Sequence, residues 1–174
     1  ELREFDEAIS CYQKSIEINP KLVGAHNNLG LVFRGQNDFE NAIKCYQKAI
    51  QLQPSHAASH HNLAQTYKEL GKFDDAIASH KNAIKYEPNN LSHYYFLNEL
   101  KKEFLDPSIK EKIEEVLKNN KSTKINLAYG NFLLAEYESK SKNYEKELSY
   151  LTKGHNNFFA SRKEKFDLGV KYCF

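Results

Sequence analysis

Four groups of side chains in this sequence have the types and spacing for chemistry. His56, His60 and His61 suggest a metal, since histidines four apart on a helix share a face and can hold a zinc ion. The set falls short of a centre. No nearby cysteine or carboxylate completes four ligands, and His60, like His26, occupies a core position of the periodic pattern described below. Asp74-Asp75 and Glu114-Glu115 read as first-turn or surface charges, with no carboxylate pair placed across a cleft for acid–base work. Tyr94, Tyr95 and Phe96 can stack bases or ligands, but tyrosine and phenylalanine at helical spacing read first as core. Asn28 and Asn62 are one period apart, and an amide offers both a donor and an acceptor, as a peptide bond does. The reading is of a chain with no catalytic residues, no cofactor and no metal.

The elements that position these residues follow from repetition. His26 to Pro54 reads HNNLGLVFRGQNDFENAIKCYQKAIQLQP, and His60 to Pro88 repeats it as HHNLAQTYKELGKFDDAIASHKNAIKYEP. Phe5 to Pro20 supplies the second half of the same pattern. Pro20, Pro54 and Pro88 mark the period, as do Phe5, Phe39 and Phe73, and Ala8, Ala42 and Ala76. A fixed period in this range signals a stacked repeat architecture. Within one unit, Leu29, Val32 and Phe33 and then Phe39, Ala42, Ile43, Tyr46, Ala49 and Ile50 recur at helical steps on either side of a polar break, so two amphipathic helices face each other. Asn37 or Asp38 can cap the second helix and Pro54 stops it. Gly30, Ala42 and Ala49 fall where paired helices must approach closely.

On these residues the chain resembles the tetratricopeptide repeat family. The family's spaced positions are filled by His26, Leu29, Gly30, Phe33, Ala42, Tyr46, Ala49 and Pro54, and again by His60, Leu63, Ala64, Tyr67, Ala76, His80, Ala83 and Pro88. Histidine departs from the pattern at His26 and His60, where a large apolar residue is usual, and at His80, where an aromatic is. The resemblance implies an all-α fold, a right-handed α-solenoid of helix–turn–helix repeats. Residues 1–20 form a half repeat with only its second helix, 21–88 two well-formed repeats, 89–120 a degenerate pair and 121–174 another pair with a terminal helix, all in one continuous domain. Helices are expected over 3–19, 21–35, 38–52, 55–70 and 73–86. Beyond them Asp106 caps and Pro107 opens a helix ending near Lys118. Helices over 123–141 and 143–162 then carry Tyr137 and Tyr144 in family-like places with one extra residue in the turn, and a last short helix runs from about 163 to 172.

The resemblance places first helices on a concave side that binds peptides, and there an asparagine at the position of Asn28 and Asn62 hydrogen-bonds the backbone of an extended ligand. Asn27, Leu31 and Arg34 in one repeat and His61, Gln65 and Lys68 in the next lie along the same faces and give the groove a basic edge. Phe96 holds the corresponding third position, so the ladder is short. Of the residues with which family members clamp a C-terminal carboxylate only Asn62 is present, and Asn27, Leu31, Ser92 and Phe96 stand at the other clamp positions, so a chaperone-tail receptor is not expected. The expected partner is a protein or peptide.

Composition bounds the rest. The net charge is +2, and of the 25 basic residues only Arg3, Arg34 and Arg162 are arginine, which argues against nucleic acid. No apolar run approaches the roughly 18–20 residues of a membrane span. The 3 cysteines, with Cys11 and Cys45 at equivalent repeat positions, fit free thiols and a cytoplasmic protein. A start at Glu1 inside a second helix reads as a fragment, and the apolar stripe Phe5, Ala8, Ile9, Tyr12 and Ile16 is expected to be bare, which suggests a homodimer. Residues 143–155 weakly resemble the segment joining such repeats to a sulfotransferase domain in bacterial proteins. That would make the chain a regulatory or substrate-presenting arm, with no catalytic residue of its own.

Overall fold

Proline and histidine together shape the start of each repeat. Pro20 and Pro54 prevent the preceding helix from continuing, and the ring Nε2 of His26 and of His60 donates to the carbonyl of Pro20 and of Pro54 at 2.9 Å. That bond satisfies a carbonyl the turn would leave bare, and it accounts for histidine where a purely apolar residue is usual. The computed structural model describes residues 2–102, 105–119 and 122–171, with side chains between 5 and 163. Among them are nine helices and no strand. None is long and apolar enough to cross a membrane. The chain forms two compact units, Glu1–Pro88 and Asn89–Phe174.

The first unit contains α1 (Leu2–Ile18), α2 (Val23–Gly35), α3 (Phe39–Leu52), α4 (Ala57–Glu69) and α5 (Phe73–Tyr86). α2 to α5 lie within the spans their periodicity predicts, and α1 is shifted by one residue from the expected 3–19. Asp38 caps α3, its Oδ1 accepting from the Asn41 N–H at 3.2 Å, while Asp74 and Asp75 sit in the first turn of α5, where negative charge suits the helix dipole. Consecutive helices pack in pairs, and α2 also touches α4. Ala42, Tyr46 and Leu63 form the buried centre, with Phe33, Ile43, Ile50 and Tyr67 packed around it, so one cluster joins α2, α3 and α4. A Cβ on Gly30 would lie 2.7 Å from Cε1 of Tyr46, which is why α2 carries glycine at the crossing. The stripe of α1 expected to be bare is not. Phe5, Ala8, Ile9, Tyr12 and Ile16 are half-buried as α1 packs on α2, where Phe5 Cε1 lies 3.2 Å from the Cβ position of Gly35.

The second unit contains α6 (Leu91–Leu100), α7 (Pro107–Lys118), α8 (Lys124–Lys140) and α9 (Tyr144–Lys171). Asp106 caps α7 through the Ile109 N–H at 2.9 Å, with Pro107 in the first turn, as the sequence predicts. Helix α8 is central and packs against α6, α7 and α9, burying Ala128, Leu133, Leu134 and Ala135. Its Asn126 ties down the start of α6, accepting from the Leu91 N–H at 2.7 Å and donating to the Asn89 carbonyl at 2.9 Å.

Two expectations need correction here. The helix expected to end near 162 runs on through 163 to Lys171 without a break, because no proline or glycine interrupts Ala160 to Lys165. The α8–α9 turn also has no extra residue. Asn37 (φ 61), Gly71 (φ 71) and Lys142 (φ 58) are the left-handed residues of three like turns. The next N–H in each, from Asp38, Lys72 and Asn143, reaches back to the carbonyl of Phe33, Tyr67 and Glu138. Glu138, not Tyr137, therefore holds the place of Phe33, and Leu134-Ala135 holds that of Leu29-Gly30.

This register puts a carboxylate in the interior, and Lys110 meets it. The Lys110 Nζ donates to Glu138 Oε1 at 2.8 Å and lies 4.5 Å from the Tyr137 ring centre. The lysine's bond, opposed in part by burial, holds the Glu138 carboxyl below its usual range, with Lys146 adding to the effect. A lowered folded value means the stabilisation is complete above the ordinary carboxylate range and lost as pH falls through the lowered value. The urea midpoint of the second unit should fall more steeply on acidification in the native chain than in Glu138→Gln. Parallel acid limbs would show that the pair contributes nothing.

Candidate peptide-binding site

The residues singled out on α2 and α4 are brought together by an amide that the sequence places among the groove-lining residues. Asn27 is buried at 7% exposure. Its Oδ1 accepts from Asn62 Nδ2 and from Ser59 Oγ, both at 3.0 Å, and its Nδ2 donates to Asn28 Oδ1 at 3.2 Å. Because Ser59 donates to Asn27, the His56 Nδ1–H 2.7 Å away donates to Ser59. Burial lowers the His56 pKa, Glu87 opposes it and the neighbouring His60 lowers it further, which favours the neutral ring. One polar string thus runs from His56 through Ser59 and Asn27 to both Asn28 and Asn62.

The string fixes what the two half-buried asparagines still offer. Asn28 keeps its Nδ2–H donors and one lone pair on Oδ1, whereas Asn62 has engaged one N–H and keeps the other together with its whole Oδ1 acceptor. Backbone help comes from Thr66, whose Oγ1 donates to the Asn62 carbonyl at 2.9 Å. Ser59 and His56 were not among the expected site residues. Their signal lay in the spacing, since Ser59 precedes Asn62 by one helical turn.

The remaining expected residues are dispersed. Leu31 is 38% exposed. Gln65 and Lys68 are half-buried on α4. His61 turns against α5, its ring 5.3 Å from that of the fully buried His80. Arg34 is half-buried, and its Nη1 is enclosed without a hydrogen-bond partner. The Tyr46 phenol is pushed up to about 12, chiefly by burial and against the opposing charge of Arg34. His60 donates to Pro54 and stacks on Tyr86 at 5.6 Å, so the three histidines point to separate partners. No group of three or more His, Cys, Asp or Glu able to hold a metal occurs among the described residues.

Comparison with known proteins agrees with the repeat architecture. Models described as tetratricopeptide repeat match residues 23–56 and 45–78, and one described as TPR repeat matches 1–36. No curated protein matches by sequence. Among solved structures, MamA is similar with a TM-score of 0.60 and 19% identity, covering 91% of this chain and 91% of its own. The first TPR of Spaghetti (RPAP3), bound to the HSP90 peptide SRMEEVD, is similar with a TM-score of 0.55 and 22% identity, covering 59% of this chain and 81% of its own. At such identities the likeness is one of fold, all-α with stacked helix pairs. Residues 1–78 are tetratricopeptide repeats.

Proposed function

We propose that this chain is a protein-interaction module whose first unit holds an extended peptide across Asn28 and Asn62. The observation that carries the reading is the Asn27 bridge, which presets both amides from the interior so that neither must be ordered when a ligand arrives. A peptide carbonyl accepts from Asn28, and a peptide N–H further along donates to Asn62. Packed helices lie about 8–10 Å apart and an extended chain advances about 3.3 Å per residue, so the two contacts fall about three residues apart on the ligand. The peptide held by the RPAP3 structure supports the same use of this fold.

The test uses a pool of end-blocked octapeptides, from which binders are selected on the intact chain. Two hydrogen bonds at about 0.5–1.5 kcal/mol each predict a roughly five- to 150-fold weaker affinity in Asn28→Ala with Asn62→Ala. The melting temperature should stay close to that of the native chain, because both side chains are half-exposed and Asn27 retains its Ser59 bond. Unchanged affinity in the double variant, or a pool that yields no binder, would refute the reading.

A further inference from the structure

Among the described residues, the α8–α9 pair leaves a face open that its counterpart in the first unit covers. Ala42 and Tyr46 of α3 are fully buried, and Leu63 of the next helix packs in one cluster with them. The register set by the three like turns places Glu147 and Leu151 of α9 at those two positions. A carboxylate thus replaces the small apolar residue, beside a groove of about 440 Å³ bounded by Tyr95, Phe132, Glu136, Glu147, Leu151 and His155.

The walls of this groove suit a cation. The Phe132 ring lies 6.3 Å from that of Tyr95, tilted, and 5.2 Å from that of His155, edge to face, so the three rings form one aromatic cluster. His155 donates its Nδ1–H to the Leu151 carbonyl at 2.8 Å, which leaves Nε2 as an acceptor. Glu136 is engaged by Asn98 Nδ2 at 2.6 Å and, more distantly, by Lys102. Glu147 forms no side-chain hydrogen bond or ion pair among the described residues. Alongside, Tyr144 and Leu148 stand one helical turn apart at 68% and 66% exposure.

We propose that the groove between α6, α8 and α9 receives an amphipathic helix of a partner protein, whose arginine or lysine enters between the aromatic walls and pairs with Glu147. The helical form follows from the counterpart face, which is covered by a helix, and from the exposed Tyr144 and Leu148, which extend the footprint along α9. The basic side chain follows from a carboxylate without a partner among the described residues and from the aromatic walls.

The test measures a labelled, end-blocked, alanine-rich helical peptide that has leucines on one face and a single arginine among them. Its control replaces the arginine with citrulline, which is isosteric and neutral. The arginine peptide should bind about tenfold tighter, as a charge-assisted hydrogen bond provides, and should shift the backbone amide signals of Phe132, Leu151 and His155. In Glu147→Gln, which removes only an unpartnered charge at the surface of α9, the two peptides should bind alike. Equal binding of both peptides to the native chain overturns the proposal, as do discrimination that survives in Glu147→Gln and the absence of binding by either peptide. Displacement of the peptide by an equal concentration of free arginine overturns the helical partner.

Discussion

Tyr46→Ala is expected to cost about 3–5 kcal/mol, a large fraction of what holds the first unit together. The ring is fully buried, fills the space above Gly30 and joins Ala42 of its own helix to Leu63 of the next repeat. Removing it opens a cavity at the junction of α2, α3 and α4, and in a repeat array stability resides in such neighbour contacts. The phenol oxygen contributes differently. It is enclosed and lacks a hydrogen bond of ordinary geometry, with Thr66 nearby, so Tyr46→Phe should lie within about 0.5 kcal/mol of the native chain or above it. Urea unfolding followed at amides of the first unit would check both variants. A Tyr46→Phe loss as large as that of Tyr46→Ala would show that the hydroxyl, not the ring, carries the site.

Leu91→Ala is the second large effect, at about 2–5 kcal/mol in the other unit. Leu91 is fully buried, and its Cδ1 lies 2.5 Å from where a Cβ on Gly130 would stand, with Leu117 Cδ2 at 2.8 Å. Gly130 is thus the point at which α8 receives side chains from both α6 and α7. Gly130→Ala alone should also destabilise, since overpacking costs about 1–3 kcal/mol and offsets the better helix propensity of alanine. Together the two changes exchange volume across one contact, so the double variant should be more stable than the sum of the single losses implies. Simple additivity in a double-mutant cycle would mean that the two residues do not share this space.

The repeat register over 1–88 was legible because each signal was local and occurred more than once. Proline, the helix-opening phenylalanine, the paired alanines and the Asp38 cap all acted as their spacing predicts. The role of Asn27 was not legible. Its partners Ser59 and Asn62 belong to the next repeat, so nothing within its own helix distinguishes a buried strut from a groove-lining amide. Glu138 was missed because Tyr137 is the more family-like residue. Leu134 precedes Tyr144 by the same interval as Leu63 precedes Phe73, and that anchor would have given the correct register. The α1 stripe was misjudged for a related reason, since periodicity identifies an apolar face without saying how much of it the following helix covers.

The central claim is that Asn28 and Asn62 contact the ligand backbone from a string set by Asn27, and side-chain amide signals test it most directly. An isotopically labelled chain saturated with a selected octapeptide should show the Asn28 and Asn62 side-chain NH2 resonances shifted, with Asn27 moving least because its donors and acceptor are already engaged. Binding that leaves the Asn28 and Asn62 signals in place while others move would contradict it.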